Sequence, residues 1–434
     1  MNAQQQHPSS TLSHLMMRLN HALSAVTREH RFYLTLVVAV ATLKLILSAV
    51  EPASYDMFST VSLVVNNKNP LIGPWIALYP SIYLEMMNLT QLGLQQWFLA
   101  SPANTNANLQ LLSLLLRLPA YVFDVATLVA IYFIGKKMAT PEVGRLASLV
   151  WFLNPFTLFS VELIGVLDVV ATFLVVVAFG LLTSRRIVLS GIFLALGTWL
   201  KLYPIFLLPP LMLYARSQGI PSRKMVALFG LGLVGLFGYL SWIFPFGLLY
   251  LLRYSPVTQP LPFFSGGESV VDGSIFVLVV FYCLLGLFAK KGRSLLSMLI
   301  STLLIYYLIS NPSPQYLIWA MPFMALDLAV SRDRFKAVLF AVFYALAFTQ
   351  WFFNSSGFLT PSRYSLLLIP FAGNLPWYSQ AIANLLDWSQ VKLVGVLLLP
   401  LIASGFYASA FIYAIEEARS WFGASTYSIA KNAS

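Results

Sequence analysis

Few side chains in this sequence are able to do chemistry, and their types and spacing limit what that chemistry is. All four histidines (His7, His14, His21 and His30) precede the first long apolar run, and the single cysteine, Cys283, sits inside another. A general base beyond residue 30 must therefore be a carboxylate. A metal there would take oxygen ligands, which admits Mg²⁺, Mn²⁺ or Ca²⁺ and excludes a zinc–thiolate cluster. The ionisable residues that remain stand in or beside apolar runs. They are Asp56 in Ser54-Tyr55-Asp56-Met57, Arg117 and Asp124, Glu162 and Asp168 on either side of Gly165, and Lys201 in Lys201-Leu202-Tyr203-Pro204. Gln315 and Tyr316 open a further polar stretch, Gln315-Tyr316-Leu317-Ile318-Trp319. A charge at membrane depth costs at least ~2.5 kcal/mol, so each marks a polar cavity or a buried pair.

Each also has a bland reading. Arg117 and Asp124, seven apart and so on one helical face, are either a structural ion pair or substrate contacts. Glu162 and Lys201 are either site residues or side chains that snorkel from span ends. Asp56 is either a base or a solvated loop carboxylate. Gln315, Tyr316 and Trp319 either line a pocket or form an interfacial belt. Lys44, within the first apolar run, reads as structural.

The elements that position these residues follow from composition. Of 434 residues, 59% are apolar and 9% charged, against about 45–50% and about 25% in soluble domains. Mean hydropathy is +0.79. The expected fold is an all-α polytopic membrane protein of about 12 transmembrane helices (10–13), with spans near 32–50, 108–134, 146–162, 167–183, 187–202, 204–215, 225–243, 272–289, 294–310, 315–330, 336–353 and 393–415. The run from Phe32 to Val50 is long enough to cross a bilayer and reads as a retained span, not a cleaved signal. The 204–215 segment is short and carries Pro204, Pro209 and Pro210, so a broken or re-entrant helix is expected.

Lys+Arg exceed Asp+Glu by 26 to 15, a net +11. The basic residues collect in alternate connections, including Lys136, Lys137 and Arg145, then Arg185 and Arg186, then Lys290, Lys291 and Arg293. This is a positive-inside signal and not a nucleic-acid surface. It puts both termini in the cytosol, as tails 1–31 and 417–434 around a membrane domain at 32–416. The outer connections 51–107, 244–271 and 354–392 are long, aromatic and poor in charge, and the first carries interfacial helices. Loops of that length are more often functional than idle, which directs the search to the outer or lumenal face. No nucleotide-phosphate loop of the GxxxxGK[ST] type is present, so ATP-driven transport has no support.

On these residues the chain resembles the multispanning GT-C glycosyltransferases that use polyprenyl-phosphate sugars, and most resembles the GPI mannosyltransferase I family. Asp56 matches the position of that family's first-loop acidic motif. Arg117-Leu118-Pro119-Ala120-Tyr121-Val122-Phe123-Asp124 resembles its second-span motif, and Trp151-Phe152-Leu153-Asn154-Pro155-Phe156 its Asn-Pro segment. Lys201-Leu202-Tyr203-Pro204 and Gln315-Tyr316-Leu317-Ile318-Trp319 resemble its Lys-Ile-Tyr-Pro and Gln-Tyr-Phe-Leu-Trp signatures. Two departures stand out. The family has two acidic residues one apart in the first loop, where this chain has Asp56 alone, and its polar turn is Arg-Gly-Asn-rich, where this one reads Glu162 to Asp168.

The resemblance implies a membrane mannosyltransferase moving a hexose from a polyprenyl (dolichyl) phosphate to a lipid-linked or protein acceptor on the outer face by inverting displacement. Asp56 would be the base. Lys201, with Arg253 and Arg363, would hold the donor phosphate, where a cation stabilises the departing charge. Tyr55, Arg117, Asp124, Glu162, Asp168, Tyr203, Gln315, Tyr316 and Trp319 would line the pocket, with Mg²⁺ or Mn²⁺ admitted but not required. The expected partners are donor, acceptor, membrane lipid and a small membrane subunit, in the cell membrane or the endoplasmic reticulum. The rival readings are a glycolipid flippase that uses the same buried charges as a permeation path, and a scaffold subunit of a membrane complex.

Overall fold

A computed structural model describes residues 28–48, 105–163, 168–243, 280–282, 295–309, 314–354, 401–402 and 404–417. Among these residues every regular element is helical and none is a strand. That agrees with the apolar composition: a segment in lipid has no water for its backbone and must close its own hydrogen bonds. The chain divides into two units, residues 1–43 and 44–434. In the first, the described residues belong to α1 (Arg28–Ser48), whose Phe32 and Val38 are exposed. The last turn of α1, from Lys44, belongs to the second unit.

The second unit continues with α2 (Thr105–Met138), α3 (Pro141–Phe152), one helical turn at Pro155–Thr157 and a π-helical segment at Leu158–Leu163. Next come α4 (Asp168–Thr183), α5 (Ile187–Leu200), a 3₁₀ turn (Tyr203–Leu207), α6 (Leu208–Ser217) and α7 (Ser222–Ile243). Then follow α8 (Leu295–Ile309), a 3₁₀ turn (Pro314–Trp319), α9 (Met321–Ser331) and α10 (Arg334–Asn354). Residues 404–417 form a further helix, α11.

Three described helices are long and apolar enough to cross a membrane: His30–Ser48, Arg117–Met138 and Ser222–Leu240. Other apolar helices are shorter. The 14 residues of α5 rise about 21 Å, less than a ~30 Å hydrocarbon core. Of the twelve expected spans, 272–289 lies mostly outside the described residues, as do the outer connections and both tails, and 393–415 is described at 401–402 and 404–415.

Local sequence explains the breaks. Asn154 caps the turn after α3, its side chain accepting from the Phe156 amide at 2.7 Å, with Pro155 at the first helical position where no amide is needed. The expected break near residue 204 is a 3₁₀ turn led by Tyr203 and Pro204, followed by the ten-residue α6. Two glycines set how closely the helices approach. A Cβ on Gly144 of α3 would stand 2.4 Å from the Tyr132 carbonyl of α2, and one on Gly235 of α7 would stand 2.4 Å from the Ala195 carbonyl of α5. Small residues permit such backbone contact in membrane bundles.

Candidate functional site

The break after α5 creates the first cluster. Lys201 leaves the helix in extended conformation (φ −147°, ψ 145°). Its ammonium lies 3.4 Å from Oδ1 of Asp168, the first residue of α4, where a helix N-terminus favours negative charge. The same Oδ1 accepts the Trp319 indole N–H at 3.1 Å. Trp319 is sandwiched, with Tyr203 stacked at 3.9 Å and 7° and Tyr316 at 4.6 Å and 20°. The Lys201 ammonium sits 5.4 Å from the Tyr316 ring centroid.

Outer bonds hold this stack in place. The Tyr203 hydroxyl meets Thr172 Oγ1 at 3.2 Å, and the Tyr307 hydroxyl donates to the Tyr316 carbonyl at 2.8 Å. Tyr239 of α7 lies within electrostatic reach of Lys201, Asp168 and Tyr316. The Asp168 side chain is 4% exposed and that of Lys201 20%, so the cation is the more accessible member of the pair. The Lys201 charge is thus paired with a buried carboxylate. A partly exposed ammonium beside flat aromatic walls can take a phosphate oxygen by a charge-assisted bond while the rings cover apolar faces of a ligand.

Arg117, Asp124 and Glu162 converge elsewhere, around Lys44. The Lys44 ammonium lies 2.6 Å from Asp124 Oδ2 and 3.4 Å from Glu162 Oε2, and 4.4 Å from the Phe152 ring centroid. Asp124 Oδ1 accepts the Trp151 indole N–H at 2.8 Å, and Arg117 donates to the Ser48 carbonyl at 3.3 Å. Lys44, Arg117, Asp124 and Glu162 are all fully buried. Glu162 is therefore no interfacial snorkel, and the partners the structure gives Asp124 are Lys44 and Trp151. The expected structural role of Lys44 agrees with its position as the hub. Among the described residues the two cations and two carboxylates of this cluster cancel, and pairing is the condition under which buried charge persists.

A third cluster was not anticipated from the sequence. Lys336 of α10 bridges Asp327 of α9 at 2.9 Å and Glu417 of α11, and the Tyr413 hydroxyl lies 3.4 Å from Asp327. Ser297 donates to the Glu417 carbonyl at 3.0 Å. Burial, and then the nearby Asp327 charge, push the Glu417 carboxyl up to about 7. In the sequence, Lys336 stands in a basic stretch with Arg332 and Arg334. Its separation of nine from Asp327, across a short turn, was the available signal.

Tyr55, Asp56, Arg253 and Arg363 lie outside the described residues. Gln315 belongs to the Pro314–Trp319 turn that also carries Tyr316 and Trp319. Among the described residues, no group of three or more His, Cys, Asp or Glu side chains gathers as a metal set.

With this geometry in hand, similarity to known proteins is informative. Residues 79–319, more than half of the chain, match the family described as "GPI transamidase subunit PIG-U". A stretch of 88 residues is 33% identical to the protein named GPI mannosyltransferase 1 of Debaryomyces hansenii. That alignment covers 20% of this chain and 21% of the yeast protein, so the chain spans about a fifth of that relative's length.

Proposed function

The chain belongs to the PIG-U family of GPI transamidase subunits, and from that premise we propose that it is the subunit that holds the glycolipid headgroup at the lumenal face of the endoplasmic reticulum. In this reading a glycosyltransferase-like helical frame of the GT-C kind serves for binding, and the partners are the lipid-linked glycan and the other transamidase subunits. The observation that carries it is the Lys201 constellation. Four elements, namely α4, the end of α5 and the two 3₁₀ turns, bring one accessible cation, one buried carboxylate and a three-ring stack to a helix break. Lys201 would take a headgroup phosphate, and Tyr203, Trp319 and Tyr316 would present flat apolar faces to the attached glycan. Asp168 suits this role better than that of a base, because its Oδ1 already receives both Trp319 and Lys201.

Mannosyl transfer is the second reading, favoured by the 88-residue similarity to a GPI mannosyltransferase. It assigns the acceptor's proton to Asp56 and the departing donor phosphate to Lys201, in one inverting displacement.

The two readings leave different lipids behind when the site fails. Cells carrying Lys201→Ala, with the protein still inserted, should lose GPI-anchored proteins from the surface. Under the first reading they accumulate fully mannosylated precursor, because only attachment is blocked. Accumulation of precursor without mannose would instead favour transfer. Normal surface display with normal lipids would remove Lys201 from any site.

A further inference from the structure

The turn between α4 and α5 holds a conformation that its residue type disfavours. It closes with the Arg185 amide donating to the Leu182 carbonyl and the Arg186 amide to the Leu181 carbonyl, each at 2.9 Å. That pattern puts one residue in the left-handed region, a place that glycine ordinarily takes. The turn between α6 and α7 follows the rule, with Gly219 at φ 69° and the matching bonds from Gly219 and Ile220. At the α4–α5 turn the residue is Arg185, at φ 59°. Backbone strain of this kind clusters at ligand clamps and active sites.

Three elements meet here. The Lys137 ammonium, in the last turn of α2, donates to the Ser184 hydroxyl, which itself donates to the Gly180 carbonyl at 2.6 Å. Arg185 lies within electrostatic reach of Tyr214 in α6. Lys137, Arg185 and Arg186 are exposed, and among the described residues no carboxylate pairs with them. Other basic residues in these basic connections are answered, Arg145 by Glu142 at 3.0 Å and Lys336 by Asp327 at 2.9 Å.

Three unanswered cations, two of them fork-shaped guanidinium groups, suit an anion that carries more than one charge and several oxygens. An apolar stripe leads away from them. Val188, Ile192 and Leu196, spaced by four along α5, are all exposed.

We propose that Lys137, Arg185 and Arg186 bind an anionic phospholipid of the cytosolic leaflet whose headgroup carries a phosphomonoester, with an acyl chain along Val188, Ile192 and Leu196. A phosphomonoester brings about −1.5 to −2 charge at neutral pH, which balances most of what the three cations carry. The leaflet follows from the basic connections. The site stands at the start of α5 and Lys201 follows its end, so the two are tested separately.

The test uses the full chain in phosphatidylcholine nanodiscs and two soluble headgroups, glycerophosphoinositol 4-phosphate and glycerophosphoinositol, which differ only in the phosphomonoester. The first should bind at least about tenfold more tightly by calorimetry, which corresponds to about 1.4 kcal/mol. Arg185→Gly removes the guanidinium and relieves the turn. It should keep or raise thermal stability while weakening the phosphorylated headgroup at least about fivefold, roughly what one basic side chain contributes at an anionic surface. Lys137→Gln should weaken it similarly without touching the backbone of the turn. Arg223→Gln, at the start of α7, removes the same charge from another basic connection and should leave the affinity unchanged.

Equal affinity for the two headgroups, or binding of neither, would overturn the proposal. So would equal losses in Lys137→Gln and Arg223→Gln, which would reduce the cluster to a generally positive face. Nanodiscs that contain phosphatidylinositol 4-phosphate should bind the soluble headgroup far more weakly. Undiminished binding there would overturn the lipid as occupant and identify a soluble phosphate ester instead.

Discussion

Replacing Lys44 by Met, or Asp124 by Asn, should destabilise the protein far more than the size of either change suggests. Lys44, Arg117, Asp124 and Glu162 are fully buried, and among the described residues their formal charges cancel. Lys44→Met leaves one cation against two carboxylates. Asp124→Asn keeps an acceptor for the Trp151 indole, now 2.8 Å away, yet leaves two cations against Glu162. Removing one partner of a buried pair costs about 3–5 kcal/mol, and each single variant should lose about that much. The double variant Lys44→Met/Asp124→Asn restores neutrality, with Arg117 facing Glu162. It should be no less stable than either single variant, a coupling of at least about 3 kcal/mol. Equilibrium unfolding of the purified protein in mixed micelles, followed by Trp fluorescence, measures the cycle. Additive losses, or single losses below about 1 kcal/mol, would refute the argument by showing that water reaches the network.

The clamp at Glu417 should give stability a pH dependence. Its carboxyl is raised from 4.5 to about 7 in the fold, so its contribution is complete below pH ~4.5 and is lost as pH rises through ~7. Glu417→Gln should flatten this part of a thermal-stability profile between pH 5 and 8. Gly235→Leu should drive α7 off α5, because even a Cβ would stand 2.4 Å from the Ala195 carbonyl; lower thermal stability and yield of folded protein are expected, whereas Gly230→Ala, which meets nothing within 4 Å, should be tolerated. In sealed microsomes an impermeant maleimide should label a cysteine placed at Ser184 and spare one at Ser265. The opposite pattern would put the Lys201 site on the cytosolic face.

Some of this protein was readable from residue order because the cause is local. An excess of apolar over charged side chains requires lipid as solvent, whatever the fold. The Asn154-Pro155 pair specifies a helix start through one side-chain acceptor and one missing amide. Lys201-Leu202-Tyr203-Pro204 specifies a helix break, since proline cannot supply the next backbone donor. The choice of partners was not local. Spacing put Arg117 and Asp124 on one face, but Asp124 meets Lys44, 80 residues away, and Asp168 meets Trp319, 151 residues away. A charge inside a helical bundle is satisfied by whichever opposite group the helix packing brings within a few ångströms. That packing is decided by the buried surfaces of whole helices and by glycines such as Gly144 and Gly235. Among the described candidate residues, tertiary structure therefore made two groups, a buried network of Lys44, Arg117, Asp124 and Glu162, and Lys201 with Asp168 and the aromatic stack, where the ammonium keeps partial exposure.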